Sequence, residues 1–202
     1  MFDINLFSFN GTPVKLKPLF LLTFLLMKPI LVLCLFICVL IHELAHTWVA
    51  QKLNHHVSNI YIDFLSGSAN MDLSKINPSD TIKIVLAGPL ANLILAGLTS
   101  ILLLTGLHNE FILNTISFNL LLGVFNLIPI YPMDGGRILE AFCLLKTNND
   151  EFLSSKITHL ISSICSLLLI FISVIYSLWI TLTLSIIFII INIILLFEPR
   201  KS

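Results

Sequence analysis

The sequence predicts an all-α membrane protein of six transmembrane helices, with a short membrane-associated β-hairpin near its candidate site. Three observations carry this. Of 202 residues, 57% are hydrophobic and only 11% charged, against about 25% charged in a soluble domain. Several apolar runs approach the roughly 20 residues that cross a bilayer. Ten of the eleven Lys and Arg residues fall on one side of a six-span arrangement, and cytoplasmic loops hold such an excess. The formal net charge is zero, so nucleic acid is not an expected partner.

The first span is drawn over residues 14–27, with Lys15, Lys17 and Pro18 in its opening turns. Lys28-Pro29 separates it from the second, 30–53. The third covers 81–105, the fourth 111–129, the fifth 155–177 and the sixth 179–197. Lys15, Lys17, Lys52, Lys75, Lys83, Arg137, Lys146, Lys156, Arg200 and Lys201 share one side, and Lys28 alone lies opposite. Both termini are therefore expected in the cytoplasm, in a multi-pass protein of a bacterial cytoplasmic membrane. The whole of 1–202 is read as one polytopic domain with its core at about 30–137. No cleavable leader is expected, because MFDINLFSF lacks a basic start. Cys34, Cys38, Cys143 and Cys165 sit in or beside apolar runs without CxxC spacing, so they read as packing residues rather than disulfides.

Residues 42–46, HELAH, close the apolar run of the second span. Ionisable groups at membrane depth are costly and mark functional sites by default. Four residues apart on a helix, His42 and His46 share one face and can reach one metal. Glu43, beside that face, can act on a water held there. The pattern is short, and a chance match with two satisfied interfacial histidines is the plain alternative.

A second motif, NLIPIYPMDGGR, spans 126–137 on the same side of the membrane. Two His and a water leave a tetrahedral zinc one protein ligand short, and Asp134 is the best candidate for it. Pro129 and Pro132 prevent a regular helix, and Gly135-Gly136 permit unusual backbone. Such backbone is tolerated at membrane depth only where protein buries it or a cavity is lined. The Asn126 amide is placed to bond a substrate carbonyl or a developing oxyanion. The alternative is a surface loop with Asp134 paired to Arg137.

HELAH, AGPLAN at 87–92 and NLIPIYPMDGG, in that order, resemble the site-2 protease family of intramembrane zinc metalloproteases (peptidase M50). The chain is most similar to its stage IV sporulation FB-type branch. The resemblance runs from about residue 15 to 197. It implies a three-helix catalytic core and one zinc per chain held by His42, His46 and Asp134. It implies Glu43 as the base and Asn126 in substrate positioning. The sporulation branch carries a C-terminal CBS module and other branches a PDZ domain; neither is expected here.

The remaining segments are weighed singly. In AGPLAN, Ala87 and Gly88 allow close helix approach, and Asn92 is expected to face inward. Residues 57–72, VSNIYIDFLSGSANMD, alternate enough to suggest a hairpin. Its first strand is expected to offer an open edge to an extended substrate. His55 and His56 read as interfacial loop residues, and His108 and His159 are left unassigned.

The expected chemistry is zinc-assisted peptide hydrolysis, with a membrane-spanning or membrane-attached protein as substrate and a cytosolic fragment as product. A regulatory membrane protein is a further conceivable partner, and the oligomeric state is left open. Two rivals remain. A catalytically silent homologue would bind a membrane protein without cutting it, although such chains commonly lose a ligand or the base. A metal transporter would string ligands across the bilayer, whereas these cluster at one depth.

Overall fold

The computed structural model describes residues 3–62 and 67–199, in two compact units into which the chain divides after Phe125. The first unit opens with a hairpin of β1 (Ile4–Phe9) and β2 (Thr12–Leu16). Asn10 and Gly11 join the strands with φ of 45° and 81°, the paired positive angles that a two-residue Asn-Gly turn requires. Thr12, Val14 and Leu16 are buried, while the intervening positions are half-exposed. That is the period of a strand.

This corrects the expected first span. Residues 14–27 do not form a spanning helix. β2 is followed by a 3-10 turn, Pro18–Leu22, and by the four-residue helix α1, Thr23–Leu26. The reason lies in V-K-L-K-P: its alternation suits a pleated edge, and Pro18 resets the chain into the 3-10 turn it opens.

α2 (Pro29–Lys52) follows, with Pro29 in its first turn. Then come β3 (Asn59–Ile62) and β4 (Gly67–Asn70). They pair antiparallel, with Asn59 opposite Asn70 and Ile62 opposite Gly67. The expected hairpin is present, although its connection at 63–66 lies outside the described residues. It is half of a larger sheet, ordered β1-β2-β3-β4, in which β2 and β3 run parallel. β3 therefore has a neighbour on each side and no open edge, contrary to expectation; the sheet's edges are β1 and β4. Lys15 and Lys17 hold their ammonium groups over the Tyr61 ring, at 5.7 and 5.6 Å from its centroid.

One face of the sheet packs along α2. Val14, Leu16, Ile60 and Ile62 form a core with Phe20, Val32 and Val39. A second cluster, Ala50, Val57 and Ile84, ties the end of α2 to α3 (Pro78–Leu104). The Asn77 side chain caps α3 by accepting from the Asp80 N–H at 2.8 Å. α4 (Glu110–Asn126) completes the unit. Gly123 lets it approach α3: an added Cβ would lie 2.8 Å from the Leu93 side chain.

The second unit holds α5 (Asp134–Lys146), α6 (Glu151–Ile175) and α7 (Trp179–Leu196). Asp150 caps α6 by accepting from the Leu153 N–H at 3.0 Å. Ser177, with φ of 54°, turns the chain between α6 and α7. Among the described residues, α2, α3, α6 and α7 are long and apolar enough to cross a membrane, and α4 is a shorter apolar helix.

Candidate metal centre

The two histidines stand one turn apart on α2 with ring centroids 4.7 Å from each other, and both are buried. Each ring is held at Nδ1 by an oxygen from α3. The Asn92 Oδ1 faces His42 Nδ1, and the Ile84 carbonyl oxygen accepts from His46 Nδ1 at 2.8 Å. An oxygen acceptor at Nδ1 requires the hydrogen on Nδ1, so in each neutral ring the lone pair sits on Nε2. Such outer partners are what orient a metal-ligating imidazole.

Both Nε2 atoms lie close over one residue, Gly88. A Cβ built there would lie under 3.0 Å from Nε2 of His46 and 2.7 Å from Nε2 of His42. Gly88 is thus the floor of the site, and its missing side chain makes room for the two rings. The sequence pointed to a small residue here for helix packing; the structure shows that the space belongs to the imidazoles. Glu43, the next residue along α2, is also buried. Two imidazole nitrogens brought together over one glycine suit a borderline divalent ion such as zinc.

Behind His42 lies a polar network inside the α2–α3–α4 bundle. Asn92 donates to the Cys38 carbonyl at 3.2 Å and to Asn119 Oδ1 at 2.6 Å. Asn119 donates to the Thr115 carbonyl at 2.8 Å and to Cys38 Sγ at 3.1 Å. Asn92 and Asn119 are fully buried. Asn92 faces inward as expected. Asn119 was not foreseen, although an amide in the apolar run ISFNLLLG was itself a signal.

Asn126 ends α4 and is half-buried. In the second unit, residues 127–133 fold over the start of α5, where Asp134 is the first residue. Gly135 and Gly136 permit this. A Cβ on Gly135 would fall under 3.0 Å from the Ile128 and Leu127 carbonyl oxygens, and one on Gly136 would strike the backbone at Tyr131. The segment contains a cis Tyr131-Pro132 bond. Polar groups of α6 and α7 satisfy its backbone. The Tyr131 N–H donates to Ser162 Oγ at 3.0 Å, and Asn192 donates to the Tyr131 carbonyl at 2.7 Å. His159, unassigned from sequence, meets Asn192 Oδ1 through Nδ1 at 2.9 Å. The irregular backbone expected from Pro129 and Pro132 is thus held at Tyr131 by α6 and α7, with Ile130 buried and Pro132 exposed. Of the other histidines, His55 pairs with Asp80 at 3.3 Å beyond the end of α2.

Membrane-type helices carrying a paired-histidine metal site define a class, the integral membrane metalloproteins. The comparisons narrow it. A profile of peptidase family M50 matches residues 30–109 and 105–172, and the chain belongs to that family. A zinc metalloprotease of Methanocaldococcus jannaschii is 35% identical over 155 residues, covering 69% of this chain and 45% of that protein. Stage IV sporulation protein FB of Bacillus subtilis is 27% identical over 139 residues, 68% of this chain and 47% of its own length. This chain thus spans less than half the length of these curated relatives. Among solved structures, a site-2 protease from Methanocaldococcus jannaschii superposes with a TM-score of 0.71 at 28% identity. That match covers 100% of this chain and 98% of the other.

Proposed function

We propose that this protein is an intramembrane zinc metalloendopeptidase that cuts a membrane-spanning or membrane-attached protein and releases a cytosolic fragment. The observation that carries this is the approach of Nε2 of His42 and Nε2 of His46 to one place over Gly88, on a helix that also buries Glu43. His42 and His46, with Asp134 as third protein ligand, would hold one zinc. Two imidazoles and a carboxylate match the donor set of catalytic zinc sites, which keep a fourth position for water or substrate.

Bound there, zinc supplies Lewis acidity toward a water and toward the scissile carbonyl. Glu43 accepts the proton of the attacking water and passes it to the leaving amine nitrogen. Burial of Glu43 among apolar helices limits competing water. The Asn126 amide donates to the substrate carbonyl as charge develops on its oxygen. An edge strand of the sheet can pair with an unwound substrate segment. With β3 enclosed, β4 takes the role first expected of β3.

The orientation reading places both termini and the site toward the cytoplasm, with six crossings. Five are α2, α3, α4, α6 and α7. The sixth is the stretch drawn at 14–27, which runs as the end of β2, the 3-10 turn and α1, with Lys15 and Lys17 at its cytoplasmic end. The test is cleavage of a single-span reporter by purified protein in liposomes, wild type against Glu43→Gln. Loss of cleavage with zinc retained supports the reading. Near wild-type cleavage by Glu43→Gln would remove Glu43 as the base.

A further inference from the structure

We propose that Asn119 is a positioning residue that sets the tautomer of His42, acting through Asn92. The inference rests on His42 being a zinc ligand. The two histidines obtain their tautomers differently. His46 Nδ1 donates to a backbone carbonyl, that of Ile84, and a carbonyl can only accept. His42 Nδ1 instead faces a side-chain amide, which could present either its oxygen or its NH2. If NH2 faced the ring, Nδ1 would have to accept. The hydrogen would then sit on Nε2, and that nitrogen could not bind a metal.

The surrounding groups decide which way the amide points. Asn119 donates through Nδ2 to the Thr115 carbonyl at 2.8 Å, an acceptor fixed by helix α4, and to Cys38 Sγ at 3.1 Å. Its Oδ1 therefore faces Asn92. Asn92 answers by turning its Nδ2 to that oxygen at 2.6 Å and to the Cys38 carbonyl at 3.2 Å. Both amide hydrogens of Asn92 are then used, and only Oδ1 is left for His42. Two backbone carbonyls that cannot reverse anchor the relay, Thr115 through Asn119 and Cys38 at Asn92 itself, so Asn119 supplies the shorter of the two contacts that hold the Asn92 amide in this direction. Asn92 and Asn119 are 0% exposed, so no bulk water substitutes for a missing partner. The relay crosses all three helices, so packing of α4 against α3 is read out as the protonation pattern of a residue on α2.

Metal-free protein labelled with 15N-histidine tests this by the imidazole nitrogen shifts. Wild type should show His42 with its hydrogen on Nδ1. Asn119→Leu leaves Asn92 only the Cys38 carbonyl as anchor and should raise the share of His42 in the Nε2–H form while leaving His46 unchanged. Chelator competition should show zinc bound about 10- to 100-fold more weakly by Asn119→Leu, the usual consequence of losing an outer partner. Wild-type His42 carrying its hydrogen on Nε2 would overturn the proposal, and this measurement needs no variant to fold. So would Asn119→Leu with an unchanged His42 tautomer and unchanged zinc affinity. His42→Ala separates the two readings. If His42→Ala loses zinc while Asn119→Leu does not, only the relay fails. If His42→Ala keeps full zinc, the metal assignment fails, and the nitrogen shifts still judge the tautomer.

Discussion

Gly88→Ala is the substitution whose effect the structure fixes most tightly. The added methyl would sit under 3.0 Å from His46 Nε2 and 2.7 Å from His42 Nε2, where ordinary contact begins near 3.4 Å. Each ring must therefore retreat by roughly 1 Å, or α3 must move away and give up the Ile84 and Asn92 contacts. Metal sites tolerate errors of only about 0.2 Å in ligand distance. A misplacement of about 1 Å costs on the order of 100-fold in turnover. We expect Gly88→Ala to lose zinc affinity and cleavage by about that factor, with overpacking costing about 1–3 kcal/mol of stability. Gly97→Ala is the control. It lies on the same helix, its Cβ would meet nothing within 4 Å, and the exchange favours a helix by up to about 1 kcal/mol. The assay is zinc content and chelator competition on purified protein, with reporter cleavage in liposomes. If Gly88→Ala binds zinc and cleaves as well as Gly97→Ala, the rings do not need that space, and the site is not where we place it.

Further outcomes follow from the same geometry. Asp134→Ala should lower zinc content and cleavage together; full zinc occupancy and activity in that variant would mean that the third ligand lies elsewhere. A cysteine placed at Asn148 should react only with reagent on the cytoplasmic side and one at Asn109 only from outside; outside labelling at 148 would overturn the orientation. Pro at Ile60, an interior strand position, should destabilise the first unit. Pro scanned along edge strand β4 should lower cleavage, with zinc and expression held, at the positions whose N–H faces outward, and uniform tolerance would remove β4 as a substrate edge.

Much of this molecule was legible in its sequence, and where it was not the reasons are physical. HELAH could be placed on a helix face because periodicity alone puts residues four apart together. The last two spans, drawn at 155–177 and 179–197, match α6 and α7 closely because Asp150 and Ser177 bound long apolar runs. The first span failed because hydropathy counts apolar residues without regard to period. PLFLLTFLLM outweighed the alternation of V-K-L-K just before it, and β2 also needs β1 and β3, partners that no local window contains. β3 was foreseen and its partnership with β2 was not, for the same reason: parallel pairing joins residues over forty positions apart. Asn119, Ser162 and Asn192 were visible as polar residues in apolar helices. Their targets, a neighbouring amide and the backbone around Tyr131, are set by packing, which spacing does not reveal.

The central claim is that His42 and His46 hold a zinc that hydrolysis requires. Its most direct test is metal removal and return on purified wild-type protein in liposomes with a single-span reporter. Chelation should abolish cleavage, and zinc at one equivalent per chain should restore it, with neither effect on His42→Ala. Cleavage that persists after the metal is gone, or zinc that stays bound in His42→Ala, would contradict the account.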